Sequence, residues 1–127
     1  MAEEEQGLRP VVWVGSSLAE VRNFPEEVRD EVGFALYQAQ QGGKHVSAKP
    51  LKGFKGAGVL EIVESHDGNA YRTVYTVRFR LAVYVLHAFQ KKSKKGITTP
   101  RAELDLVEKR LRKAGEHYEE NYEREDR

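Results

Sequence analysis

The chain has no cysteine. Disulfide staples and thiolate metal centres are thereby excluded. Long apolar runs are missing too: nothing approaches the roughly 18 consecutive apolar residues of a membrane-spanning helix. Charge of one sign is barely in excess, with 21 Lys and Arg against 20 Asp and Glu, a net charge of +1. The large basic excess that often marks a nucleic-acid-binding domain is therefore absent. The N-terminus begins Met1-Ala2-Glu3-Glu4-Glu5, acidic where a secretion signal would be basic. The chain is expected to be cytoplasmic.

What is present suits a globular domain. The 127 residues are 39% hydrophobic and 32% charged, enough for one core and a heavily charged surface. A single domain over 1–127 is expected, with a polar leader at 1–9 and a charged tail at 116–127. The small net charge hides an uneven distribution. Acids gather at Glu3 to Glu5, Glu26 to Glu31 and Glu116 to Asp126. From Lys44 to Lys55 there are four lysines and no acid, and from Arg78 to Arg101 seven basic residues and no acid. A neutral total of this kind can carry a strongly basic face.

The pattern of elements predicts an α+β fold. Pro10 to Val14 reads as a short strand, and Ser17 as the cap of a helical turn through Arg22. Pro25 suits the first turn of a helix, with Glu26 and Glu27 at its positive end. Val28, Val32, Ala35, Leu36 and Ala39 form one apolar stripe at helical spacing, ended by Gly42-Gly43. Residues 43–57 read as a loop. Val59 to Glu64 is a strand, Asp67-Gly68 a hairpin turn, and Ala70 to Phe79 a second strand. Leu81 to Phe89 is a third strand, nearly all apolar, only a residue or two further on. A meander of three to four antiparallel strands follows, packed with the N-terminal helices and a C-terminal helix. Thr99 and Pro100 are expected as cap and first residue of that last helix. Leu104, Val107, Leu111 and Ala114 mark its buried stripe, and beyond Gly115 it continues exposed or frays.

Three features bear on chemistry. In the second strand, Tyr71, Thr73, Tyr75, Val77 and Phe79 alternate with Arg72, Val74, Thr76 and Arg78. Arg72 and Arg78 thus share the face away from the tyrosines, off the expected core. An arginine offers a planar fork for phosphate, or equally a partner for Glu61 or Glu64 on the neighbouring strand. Second, Phe89-Gln90-Lys91-Lys92-Ser93-Lys94-Lys95 runs from an apolar strand into four lysines. This is either a solvated charge run or an aromatic and cationic platform for single-stranded RNA. Third, Lys49 to Gly56 is basic and glycine-rich but lacks phosphate-loop spacing. His45, His66, His87 and His117 stand at no metal-ligand spacing, so no metal is expected. His87 is either a hydrogen-bonded core histidine or a proton-transfer group near the lysines. Tyr71 and Tyr75 are expected in the core. No nucleophile elbow and no helix-turn-helix is present.

Tyr71-Arg72-Thr73-Val74-Tyr75, then Tyr84-Val85-Leu86-His87-Ala88-Phe89-Gln90-Lys91-Lys92 and Thr99-Pro100, resemble the RelE/HigB toxin superfamily, most closely its phage-derived, HigB-like branch. Lys49-Pro50-Leu51-Lys52, Val59-Leu60-Glu61-Ile62 and Phe24-Pro25 add to the resemblance, which runs from about Val12 to about Leu111.

The resemblance implies a small α+β toxin of a type II toxin–antitoxin pair. Many such toxins are ribosome-dependent mRNA endonucleases that need no metal or other cofactor. A helix-turn-helix antitoxin encoded in an adjacent gene, the ribosome and mRNA are the implied partners. Arg72 falls on the family's strand arginine and would stabilise charge at the scissile phosphate. Lys91 and Lys92 fall on the basic residues ending the last strand and would hold that phosphate. Phe89 is the aromatic beside them, and His87 the candidate for proton transfer. Lys52, Lys55, Arg78, Lys94 and Lys95 would grip RNA backbone. The chain departs from the family in having Val63 and Glu64 where a further basic residue is common. Gyrase-poisoning relatives of the ParE kind share the fold, so fold alone does not choose between RNA cleavage, binding to a protein target such as gyrase, and an inactive toxin relative.

Overall fold

The computed structural model describes residues 7–54, 56, 58–91 and 99–126. The elements in chain order are β1 (Val11–Trp13), α1 (Ser17–Arg22), α2 (Glu26–Gln40), β2 (Ala48–Pro50), β3 (Val59–His66), β4 (Asn69–Thr76), β5 (Val83–Lys91), α3 (Arg101–Asn121) and a last turn, α4 (Glu123–Asp126). The sheet has five strands in the order β1-β5-β4-β3-β2. The α+β expectation holds, with one strand more than the meander allowed and a mixed sheet. β1 pairs with β5 in parallel, while β2–β3, β3–β4 and β4–β5 are antiparallel.

Two strand assignments change. Residues 43–57 are not wholly loop, because Ala48–Pro50 pairs with Leu60–Ile62 as an edge strand. Pro50 is tolerated there, since an edge strand need not donate on both sides. The strand expected through Phe79 stops at Thr76. Val77 N–H turns to the Gly58 carbonyl, and Arg78 N–H to the Thr76 hydroxyl. Residues 77–82 therefore connect β4 to β5, a longer link than expected. The hairpin between β3 and β4 does form at Asp67-Gly68. Both residues have positive φ, +52° and +79°, as a two-residue hairpin turn of this twist requires.

The caps also differ. Ser17 is the first residue of α1, and its buried hydroxyl donates to the Val85 carbonyl. Pro25 precedes α2, as Pro100 precedes α3, each in extended conformation. Thr99 does not cap α3, because its hydroxyl is engaged by Glu61.

Both faces of the sheet are covered. On one, α1 and α2 bury Val21, Val28, Val32, Leu36 and Ala39 against Ile62, Tyr71, Tyr75, Val83, Val85 and Ala88. On the other, α3 buries Val107, Ala114 and Tyr118 against Val59, Val74, Tyr84 and Leu86. The expectation that Arg72 lies off the core is thereby corrected. Its face is the floor of the second core, and Arg72 is 5% exposed. The charged tail is likewise more than surface. α3 runs to Asn121 because Tyr118 stacks on Phe79 at 4.8 Å and accepts the Leu81 N–H at its hydroxyl. Among the described residues, no helix is long and apolar enough to cross a membrane.

Candidate functional site

Arg72 sits in the middle of β4, opposite Val63 on β3 and Phe89 on β5. Its Nη1 donates to Glu61 Oε2 at 2.9 Å, and both side chains are nearly sealed from solvent. The Thr99 hydroxyl donates to the same oxygen at 3.2 Å. The segment entering α3 thus closes over the ion pair. A buried pair of this kind offsets two desolvation costs only while both partners remain. Of the two partners the sequence left open, the structure selects Glu61. Glu64 pairs with Tyr71 in the register and faces α2 instead.

Phe89 and Lys91 share Arg72's side of the sheet by strand alternation, Lys91 lying opposite Ala70 at the end of β5. Phe89 is half-buried, and its ring stacks on His87 with centroids 5.1 Å apart and planes 23° apart. His87 is itself 4% exposed. Its Nε2 is 2.5 Å from Glu103 of α3, while Nδ1 faces Glu20 of α1 at 3.3 Å and Arg110 of α3 at 3.4 Å. Nε2–H donates to Glu103, while Nδ1 donates to Glu20 when it carries a proton and accepts from Arg110 when it does not. These surroundings describe the hydrogen-bonded core histidine, held by two helices and supporting Phe89. His87 shares Arg72's side of the sheet, but both its ring nitrogens point to Glu20, Glu103 and Arg110 and not to Arg72.

Arg110 ties the layers together. It donates to the Leu86 carbonyl at 2.9 Å and to the Ser16 hydroxyl at 3.0 Å, and lies 3.6 Å from Glu20. Leu86 is the extra residue of a β-bulge, since Val74 pairs with His87 but Tyr75 with Val85. A bulge leaves a ladder group unpaired, and Arg110 satisfies it. Glu20 meanwhile accepts the Ala88 N–H at 3.1 Å, where β5 extends past the three residues of β1. Gly15 makes room for Arg110. Its φ is +58°, and a Cβ there would lie 2.8 Å from Arg110 Nε.

The remaining candidates do not all converge. Lys52 and Arg78 are exposed and belong to the opposite end of the sheet. Leu51 bonds to Val59, which pairs with Thr76. Six strand positions separate Thr76 from the Ala70–Lys91 pair, roughly 20 Å at strand rise. Arg78 stands 5.8 Å over the Phe79 ring, beside α3. Lys55, Lys92, Lys94 and Lys95 lie outside the described residues. Glu20, Glu103, Arg110 and Thr99 were not singled out as site residues. Glu103 and Arg110 stand seven apart, one helical face, which is the signal that could have found them.

A second cluster lies on the other face. The ligand atoms of Glu31, His45 and Glu64 fall within 4.8 Å of one another. The donor set does not suit a metal ion, however. His45 Nδ1 accepts the Ser47 N–H at 2.9 Å, so the neutral ring carries its proton on Nε2, which donates to Glu31 at 3.0 Å. No ring lone pair is left for a metal.

A twisted mixed sheet with two helices on one face, one long helix on the other and an arginine at the centre of β4 defines a RelE-type toxin fold. The free-state structure of a mutant of the E. coli toxin RelE matches with a TM-score of 0.52 and 19% identity, over 84% of this chain and 97% of that one. Residues 19–112 match the family model described as phage-derived protein Gp49-like (DUF891). The chain belongs to that family, a RelE/HigB-like family of type II toxins, and an antitoxin partner goes with that membership. No curated protein matches.

Proposed function

We propose that this toxin is an mRNA endonuclease acting on translating ribosomes in the cytoplasm, with Arg72, Phe89 and the start of the basic run as its RNA-contacting group. The observation that carries this reading is the cross-strand pairing of Arg72 with Phe89, with Lys91 two residues further along the same side of β5. Arg72 would stabilise charge on the phosphorane, Phe89 would stack on a base, and Lys91 with Lys92 would hold the phosphate. Lys94 and Lys95 continue the basic run, while Lys52, Lys55 and Arg78 are proposed to grip backbone further away. In the reaction an RNA 2′-hydroxyl attacks the adjacent phosphorus. Its proton leaves to a base, the bond to the 5′-oxygen breaks, and that oxygen takes up a proton. The products are a 2′,3′-cyclic phosphate and a 5′-hydroxyl. His87, engaged by Glu103, serves in this reading by holding Phe89. The sealed Arg72–Glu61 pair requires the Thr99 segment to move before phosphate can reach the guanidinium. The antitoxin is proposed to be a helix-turn-helix protein encoded in the adjacent reading frame.

The same neutralised pair favours a second reading, in which Arg72 is structural and the toxin binds a protein target such as gyrase without cleaving RNA. One experiment separates them. Purified protein is added to translating ribosomes and the RNA ends are mapped, alongside a supercoiling assay. Cleavage of ribosome-bound message, lost in Arg72→Lys, supports the endonuclease. Intact message with inhibited supercoiling supports the second reading.

A further inference from the structure

The face of the molecule behind the sheet from Arg72 has its own chemistry. Large apolar side chains are seldom exposed together without a use. Here Phe34 is 53% exposed, Tyr37 47% and Val46 92%. Phe34 and Tyr37 are three apart on the outer side of α2, the His45 ring meets Phe34 edge-on at 5.6 Å, and exposed Val46 follows His45 in the chain. One turn earlier on the same side of α2 stand Glu27, Asp30 and Glu31. With Val28, Glu64, Ser65 and His66 these three line a groove between α2 and the end of β3. From Glu26 to Glu31 there are four acids against one arginine.

The groove carries more negative charge than its own groups balance. Glu64 is pushed above the usual carboxylate range, first by burial and then by the Glu31 carboxylate, with His45 opposing. A metal ion is disfavoured because His45 Nε2 carries a proton. An ammonium or guanidinium group needs no lone pair from the ring and brings several N–H donors to two carboxylates. The sign of the charge disfavours RNA and anionic lipid. A second copy meeting through the same patch would set acid against acid across a two-fold axis.

We infer that the α2 face is a docking surface for a cationic amphipathic segment of a protein partner. A lysine or arginine of that segment enters the Glu31–Glu64 groove, and its aliphatic side chains cover Phe34, Tyr37 and Val46. The segment leaves the Arg72 face open, because the whole sheet lies between. This inference is independent of whether the toxin cleaves RNA.

The test uses the full-length protein, isotope-labelled for amide spectra, and a designed helical peptide of leucine and lysine in amphipathic order. A peptide with glutamate at every lysine position is the control. The expected result is a set of shifts confined to residues 27–37, 45, 46 and 64, weakened by added salt. Affinity is expected to fall about tenfold or more in Phe34→Ser with Tyr37→Ser, and in the near-isosteric Glu31→Gln with Glu64→Gln. Asp30→Lys, at a solvent-facing position, is expected to weaken binding in the same direction without touching His45 or the core. Four results would each overturn the inference. They are shifts absent or centred elsewhere, equal binding of the glutamate peptide, concentration-dependent shifts of these amides without peptide, and displacement of the peptide by zinc or by a single-stranded RNA fragment.

Discussion

Arg72 Nη1 and Glu61 Oε2 lie 2.9 Å apart on adjacent strands, both side chains nearly sealed beneath the segment that enters α3. The arginine that the sequence offers to a phosphate is thus already bound to a carboxylate. Removing one partner leaves the other as an uncompensated buried charge. Arg72→Ala is expected to cost about 3–5 kcal/mol, whereas replacing both residues by apolar ones of similar volume costs far less. Urea denaturation of the single and double variants measures the difference. Equal losses would mean that the pair is not the unit described.

Phe89 and Lys91 offer a cleaner functional test, since neither belongs to that pair. Phe89→Ala and Lys91→Ala are expected to keep the melting temperature within a few degrees. On translating ribosomes each should slow message cleavage roughly tenfold or more, the order expected for a lost base stack or phosphate contact. Single-turnover cleavage rates at two salt concentrations provide the readout. Unchanged rates in both variants would remove this end of β5 from the RNA site.

Gly15 and Arg110 predict a specific weakness. A side chain at Gly15 is strained by its positive φ and collides with the guanidinium that satisfies the Leu86 carbonyl. Gly15→Ala is expected to destabilise by about 2 kcal/mol or more. Amide exchange at the β5 bulge should quicken at the same time. A neutral substitution with unchanged exchange would show that Arg110 reaches Leu86 by another path.

Tyr75 is fully buried on the α2 side, and its hydroxyl has no hydrogen-bond partner among the described residues. Burial raises its pKa from 10.0 to about 12. Because the folded state holds the proton more tightly than the unfolded state, this contribution to stability is intact below about pH 10. It is lost as pH rises from there to about 12. Tyr75→Phe removes an unsatisfied polar group and is expected to be neutral or stabilising by about 1 kcal/mol at pH 7. Phenolate absorbance followed with unfolding in alkali checks the order of events: Tyr75 should ionise with loss of structure, not before it.

Glu64 gives the opposite end of the pH scale. Its raised pKa means that the charged form is disfavoured in the folded state, by burial first and Glu31 second. The protonated form, and the stability that goes with it, is present at acid pH and lost as pH rises through the shifted value. Glu64→Gln is therefore expected to raise the melting temperature at pH 7 and to leave it unchanged near pH 3. A gain of equal size at both pH values would assign the effect to something other than charge.

How much of this could be read from the sequence follows from the range of the forces involved. α2 was legible because its stripe at 28, 32, 35, 36 and 39 is a local pattern that any covering sheet satisfies. The Asp67-Gly68 turn was legible because its positive φ values are a requirement of two residues alone. Arg72, Phe89 and Lys91 were grouped by family resemblance, and the β4–β5 register sets them on one side of the sheet. Other features needed the tertiary structure. β2 is three residues long, and only β3 makes it a strand. Ser17 and Thr99 look like caps in isolation, but a distant carbonyl and a distant carboxylate took their hydroxyls. The burial of Arg72 depended on α3 crossing the second face of the sheet, which no alternation within β4 can announce. The sequence alone determined which residues carry charge and aromatic surface. Only the packing of helices on both faces decided that Arg72 meets Glu61, and that His87 is held by Glu20, Glu103 and Arg110, because those partners lie up to 67 residues apart in the chain and converge only in the folded layers.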